Sequence, residues 1–180
     1  VLFPITGAMD MRATAAPYSR PIIYIFMGGF MIALAMEKWN LHRRIALSII
    51  AAVGTNMKQI VLGFVLAAGI LSMWISNTAT TVMMLPIGLA IVSQFMVLGK
   101  DAGLTDKVLD NFSKALILSI AYCASIGGMA TLVGTPTNLV FIGFVEETYQ
   151  AELSFAKWML LGFPITVILW GVTWWHLTHN

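Results

Sequence analysis

Charge is what this chain has least of. Only 10% of its 180 residues are Asp, Glu, Lys or Arg, against about 25% in an ordinary soluble domain. None of these four residue types occurs from position 59 to 99 or from 115 to 145. A proton relay within a membrane draws on carboxylates or histidines, and these two runs hold neither. A membrane-embedded enzyme would need a nucleophile with its base, a metal-ligand cluster or paired carboxylates there, and the runs offer none. Cysteine is nearly absent too. Cys123 alone cannot close an internal disulfide, so it assigns no redox compartment and reads as a small packed side chain. A net charge of +2 gives no reason to expect a nucleic-acid partner. The chain opens at Val1 without an initiator methionine, signal peptide or basic leader, and it reads as a piece of a longer protein.

What is present is apolar. Hydrophobic residues make up 59% of the chain, the mean hydropathy is +0.86, and several runs approach the 20 or so residues of a membrane span. Residues 1–20, with Pro4 and Pro17, are expected to form a loop. Pro21 to Trp39 would make a helix of about 27 Å, close to the thickness of a hydrocarbon core, with Tyr18 and Trp39 as interfacial aromatics. The Gly28-Gly29 pair suggests close helix approach. Residues 40–57 read as an arm lying at the interface, because the apolar stretch Ile45 to Val53 is too short to cross and follows His42, Arg43 and Arg44. Residues 58–98 read as a helical hairpin with its tip at 76–78, and 99–114 as a charged loop. Residues 115–148 read as a transmembrane helix unwound near 127–136, 149–156 as a loop, and 157–177 as a last span kinked at Pro164. Trp158 and the Trp174-Trp175 pair would belt that last span.

The charges orient this map. One side holds Lys38, Arg43, Arg44, Lys58, Lys100, Lys107 and Lys114. The other holds Arg12, Arg20 and Lys157 with Glu146, Glu147 and Glu152. The excess of basic residues makes the first side cytoplasmic by the positive-inside rule and leaves 149–156 external. A full hairpin and a re-entrant one give the same sidedness.

Two polar interruptions stand inside the uncharged runs. The first is "SMWISNTATT" at 72–81. A turn here leaves carbonyls at the end of one helix and N–H groups at the start of the next, which attract cations and anions respectively. Ser72 and Ser76, four apart, share a helix face. With Asn77 they offer three neutral, hard oxygen donors, which suit an alkali cation better than a transition metal. Asn77 and Thr78 are also placed to cap the following helix. The second interruption is "GGMATLVGTPTNLV" at 127–140. Thr135 fits an N-cap and Pro136 the first helical position, while the glycines before them let carbonyls become exposed. Two half-helix starts aimed at one anion, beside carbonyl ends holding a cation, is the geometry of a transporter midplane site. Taken alone, "SNT" also fits an extramembrane turn. Isolated hydroxyls such as Ser119 read as bonds to the preceding helical turn. The 12 methionines and Trp74 read as packing, and His42, His176 and His179 as interfacial residues rather than ligands.

At "SNTATTVMMLPI" and "GTPTNLVFIGF" the chain resembles the divalent anion/sodium symporter family of di- and tricarboxylate transporters. "GGFMIALAMEKWNLHRRIAL" is similar to that family's third transmembrane helix and following arm. Thr137 departs from the pattern, where the family often has a second proline. The resemblance implies an all-α polytopic membrane protein in the cytoplasmic membrane. Its re-entrant hairpin plus broken helix would be one half of an inverted-repeat transporter. By motif position, Ser72, Ser76, Asn77 and the carbonyl of Gly134 would surround sodium, the coupling ion, and Asn77, Thr78, Thr135 and Pro136 would contact a substrate carboxylate. It further implies a homodimer working by an elevator-like motion, with the first and last helices as scaffold. A C4-dicarboxylate such as succinate is the first expected substrate, with sulfate or citrate as alternatives. A proton-coupled or uncoupled permease and a structural membrane subunit are the rival readings.

Overall fold

The computed structural model describes residues 2–19, 21–150 and 153–179, and among these every regular element is a helix. Arg20 and Glu152, two of the charges used to orient the chain, lie outside the described residues. The opening segment corrects the expectation of a loop. It forms α1 (Leu2–Ile5), α2 (Met11–Ala15) and a 3-10 turn (Ala16–Ser19). Local capping explains the difference: the Asp10 carboxylate accepts the Met11 N–H at 2.8 Å and so starts a helix.

α3 (Pro21–Lys38) is followed by α4 (Leu41–Val53). Asn40, at φ 50°, turns the chain between them. His42 is buried, with Nδ1 3.3 Å from the Met36 carbonyl oxygen. α5 (Met57–Ser72) begins with a capping box in which the Gln59 side chain accepts the Asn56 N–H at 3.2 Å. α6 (Asn77–Asp101) and α7 (Asp106–Gly128) follow.

The charged stretch 99–114 is therefore mostly helix, with only 102–105 between the two elements. Two bonds close α6 there: Gly103 N–H to Lys100 O at 3.0 Å and Leu104 N–H to Gly99 O at 2.9 Å. Gly103 sits at φ 76°, so this is a Schellman termination that needs no long loop. Lys107, Asp110 and Lys114 become side chains on the first turns of α7. α8 (Pro136–Tyr149) and α9 (Phe155–His179) complete the chain.

α5 and α7 lie together at the centre, with α4 against α5, α6 against α7, and α9 against both. The centre is built from small and branched side chains. Phe64, Val65, Ala67 and Ala68 of α5 and Leu116, Ile120, Cys123 and Ala124 of α7 are fully buried. A methyl on Gly127 would collide with the Gly69 carbonyl. Such backbone-level approach is how helices associate where lipid is as apolar as the side chains. α9 is fastened along its length. Trp174 Nε1 donates to Lys58 O at 2.9 Å, the Trp170 ring covers Gly69, and Trp158 Nε1 donates to Met129 O at 3.0 Å. α3 packs against α4, and its Gly29 faces Val133 closely while Gly28 has open space.

Among the described residues, α6 and α9 have the length and hydropathy to cross a membrane. The outward faces stay apolar, with Leu160, Ile168, Val82 and Val97 each well over half exposed. Water would not tolerate so continuous an apolar surface, whereas lipid does.

Candidate functional site

Helical bonding breaks once inside each of the two uncharged runs, and the two breaks meet. At the first, α5 stops at Ser72, residues 73–76 turn, and α6 starts at Asn77. Ser76, not Asn77 or Thr78, is the N-cap: its backbone is extended and its hydroxyl accepts the Ala79 N–H at 3.3 Å. This corrects the capping expected from sequence. Asn77 is already helical, which frees its side chain to point across the turn. There Ser72 Oγ, fully buried, donates to Asn77 Oδ1 at 2.7 Å.

At the second break α7 ends at Gly128 and α8 begins at Pro136. Thr135 occupies the N-cap position with extended backbone, but its hydroxyl makes no capping bond. Its carbonyl accepts the Asn138 N–H at 3.2 Å instead. Pro136 is the first helical residue, where its missing N–H costs nothing.

Glycines allow the two breaks to touch. A Cβ on Gly128 would run into the Asn77 amide, so the absence of a side chain there is what seats Asn77 on the end of α7. A Cβ on Gly134 would lie 2.6 Å from the Gly128 carbonyl oxygen. Ser72, Asn77, Gly128 and Gly134 are thus in consecutive contact, with Ser72 and Gly134 buried and Asn77 half-buried. Around them, Ser76, Thr78 and Pro136 are exposed and Thr135 is half-buried. The expected ligands therefore fall into two groups. One is an inner set of neutral oxygens beside a helix C-terminus. The other is an outer rim at the starts of α6 and α8. Chemically, the inner set suits a hard cation, and the rim, with helix N-termini behind it, suits an anion.

Two residues that the sequence reading passed over, Thr131 and Asn138, hold the second break open together with Trp158, which was read only as an interfacial aromatic. Thr131, fully buried, donates from Oγ1 to Met73 O at 2.5 Å and accepts the Gly134 N–H at 3.0 Å. Asn138 Nδ2 donates to Gly128 O at 2.9 Å and to Thr131 O at 2.7 Å. Trp158 takes the Met129 carbonyl, as described. The available signal was the type of residue: an uncharged amide and a threonine within an apolar run, close to the glycines.

A model of the citrate transporter family matches residues 1–179. The chain belongs to this family. It is 42% identical over 179 residues to the sodium-dependent dicarboxylate transporter SdcS of Staphylococcus aureus, in strains USA300 and NCTC 8325 alike. That alignment covers 99% of this chain and 34% of each relative, so the chain spans about a third of the length of the curated relatives it matches. The family resemblance drawn from the Ser-Asn-Thr and Gly-Thr-Pro motifs agrees with both findings. The relatives are transporters rather than enzymes, and membership of this family makes the chain part of a membrane protein.

Proposed function

We propose that this chain is part of a sodium-coupled carrier of di- or tricarboxylates, and that it supplies half of the transport site. A C4-dicarboxylate such as succinate is the foremost substrate. The carrying observation is the seating of Asn77 between Ser72 and Gly128. Two oxygens 2.7 Å apart, Ser72 Oγ and Asn77 Oδ1, bind one cation once the serine proton turns away. The Gly134 carbonyl and Ser76 would complete this half of the shell. Asn77 and Thr78 at the start of α6, and Thr135 and Pro136 at the start of α8, would receive a carboxylate. The cation offsets part of the anion's charge, and the helix N-termini share the rest, so the reading calls for no buried arginine in this half.

The wider assembly follows the same reading. The hairpin would enter from the cytoplasmic side of the cell membrane without crossing, a second inverted repeat would provide the opposing half, and two copies would form a homodimer with an elevator-like motion. The sequence reading placed α9 in the static scaffold. Its fastening to α5 and to the break supports α9 moving with the hairpin. By the same criterion α4, packed along α5 with Ala46 and Ile50 in the core, moves with it, which leaves α3 as the scaffold part of this chain.

The test is uptake of labelled succinate by the full-length protein in liposomes under an imposed sodium gradient. Sodium-driven accumulation is expected. Uptake that runs equally with potassium, or only with a proton gradient, would favour the uncoupled or proton-coupled permease. Citrate and sulfate as competitors would rank the substrate class.

A further inference from the structure

The hydroxyl of Thr131 joins two segments that are 58 residues apart in sequence. It is fully buried, gives its proton to the Met73 carbonyl in the hairpin tip and accepts the Gly134 N–H in the break. Gly134 is one of the expected cation ligands, and Met73 follows another, Ser72. The two halves of the inner oxygen set are therefore linked through one oxygen atom.

We propose that Thr131 is a positioning residue that makes the hairpin tip and the α7–α8 break respond to a bound cation as one unit. The proposal rests on the sodium–carboxylate reading of the site. In this role Thr131 acts through its two hydrogen bonds, to Met73 O and from Gly134 N–H, rather than as a ligand. Asn138 steadies it from the other side: its amide, 7% exposed, holds the Thr131 carbonyl together with that of Gly128. A cation drawing on Ser72 and Asn77 settles the tip. Through Met73 and Thr131, the same event fixes the peptide that presents the Gly134 carbonyl and the Thr135–Pro136 helix start. Ordering one half lowers the cost of ordering the other, which is positive coupling between cation and anion. Valine at this position keeps the volume but leaves the Met73 carbonyl and Gly134 N–H unpaired in a buried place, so each half relaxes separately.

The experiment measures succinate half-saturation at low and high sodium, and sodium half-saturation, for the full-length protein in liposomes. It compares wild type, Thr131→Val, Thr131→Ser and Asn77→Ala. Thr131→Val is expected to raise sodium half-saturation about tenfold, the factor that 1.4 kcal/mol of coupling represents, and to weaken the sodium-induced tightening of succinate by a similar factor. Maximal uptake at saturating sodium and succinate should fall much less. Thr131→Ser, which keeps the hydroxyl, should stay close to wild type. Unchanged sodium dependence in Thr131→Val overturns the inference. So does a Thr131→Ser variant as impaired as valine, since that assigns the residue to packing. If wild type shows no sodium dependence, or Asn77→Ala leaves it intact, the site reading itself has failed and the inference falls with it. Should Thr131→Val not insert, Thr131→Ala against Thr131→Ser decides by the same criteria, because both lack the methyl and differ in the hydroxyl.

Discussion

Asn77 can sit where it does because residue 128 has no side chain. Gly128→Ala is therefore expected to expel the amide from the end of α7 and abolish sodium-dependent uptake while leaving the protein inserted and folded. Uptake by the reconstituted variant, set beside its recovery in detergent, checks this. Thr80 gives the opposite kind of prediction. Its side chain is fully buried in α6, and its hydroxyl has no hydrogen-bond partner. An unpaired buried hydroxyl costs about 1–3 kcal/mol, so Thr80→Val should raise the thermal midpoint in detergent, and an unchanged or lowered midpoint would count against that assignment. At this scale the sequence was informative about some residues and silent about others. Ser72, Asn77 and Gly134 stood out because oxygen donors and glycines are conspicuous in an uncharged run. Thr131 and Asn138 did not, because their partners lie across the fold or on the far side of an unwound loop, and no local pattern encodes such partners. Ser76 took the cap from Asn77 for a similar reason: the amide was needed elsewhere.

The helices themselves were legible because apolar length and caps are local properties. Where the expected bounds failed, at the start of the chain and at 99–114, charge and proline had been read as loop. Charged residues are equally at home on an exposed helical turn, and Gly103 terminates α6 within a few residues. Helix association makes a sharper prediction. The methyl of Gly127→Ala would meet the Gly69 carbonyl, a backbone obstacle that no rotamer change relieves. Overpacking of this kind costs about 1–3 kcal/mol, so the variant should lose thermal stability and yield. Gly143, in α8, has open space where its Cβ would stand. Gly143→Ala should be neutral, or stabilising by about 0.5–1 kcal/mol through helix propensity. Paired thermal melts of the two variants test whether close backbone approach holds α5 and α7 together.

At the scale of the molecule, contacts between helices far apart in the chain are what no local sequence pattern encodes. Trp158 and Trp174 looked like a membrane belt, since tryptophan prefers that depth. Their indole N–H groups also donate to the backbone at Met129 and Lys58, and these bonds tie α9 to the core. α3 approaches the break at Gly29, where an added Cβ would stand 3.0 Å from Val133 Cβ, closer than the roughly 3.5–4.5 Å of a disulfide, so a cross-link needs only a small parting of the two backbones. If α3 stays still while the break moves, a Gly29→Cys/Val133→Cys pair oxidised in the full-length protein should arrest uptake, and reductant should restore it. Native Cys123 is buried. Full activity in the oxidised state would mean that the two move together.

The uncharged runs have a last consequence, which concerns voltage. Residues 59–99 and 115–145 contain both breaks and no Asp, Glu, Lys or Arg. On the proposed mechanism, the empty half-site carries no formal charge of its own across the electric field. Any current through this half then comes from the cargo alone, and each net elementary charge it carries gains or loses about 2.3 kcal/mol per 100 mV. This half should therefore add no voltage dependence of its own to the return of the empty carrier.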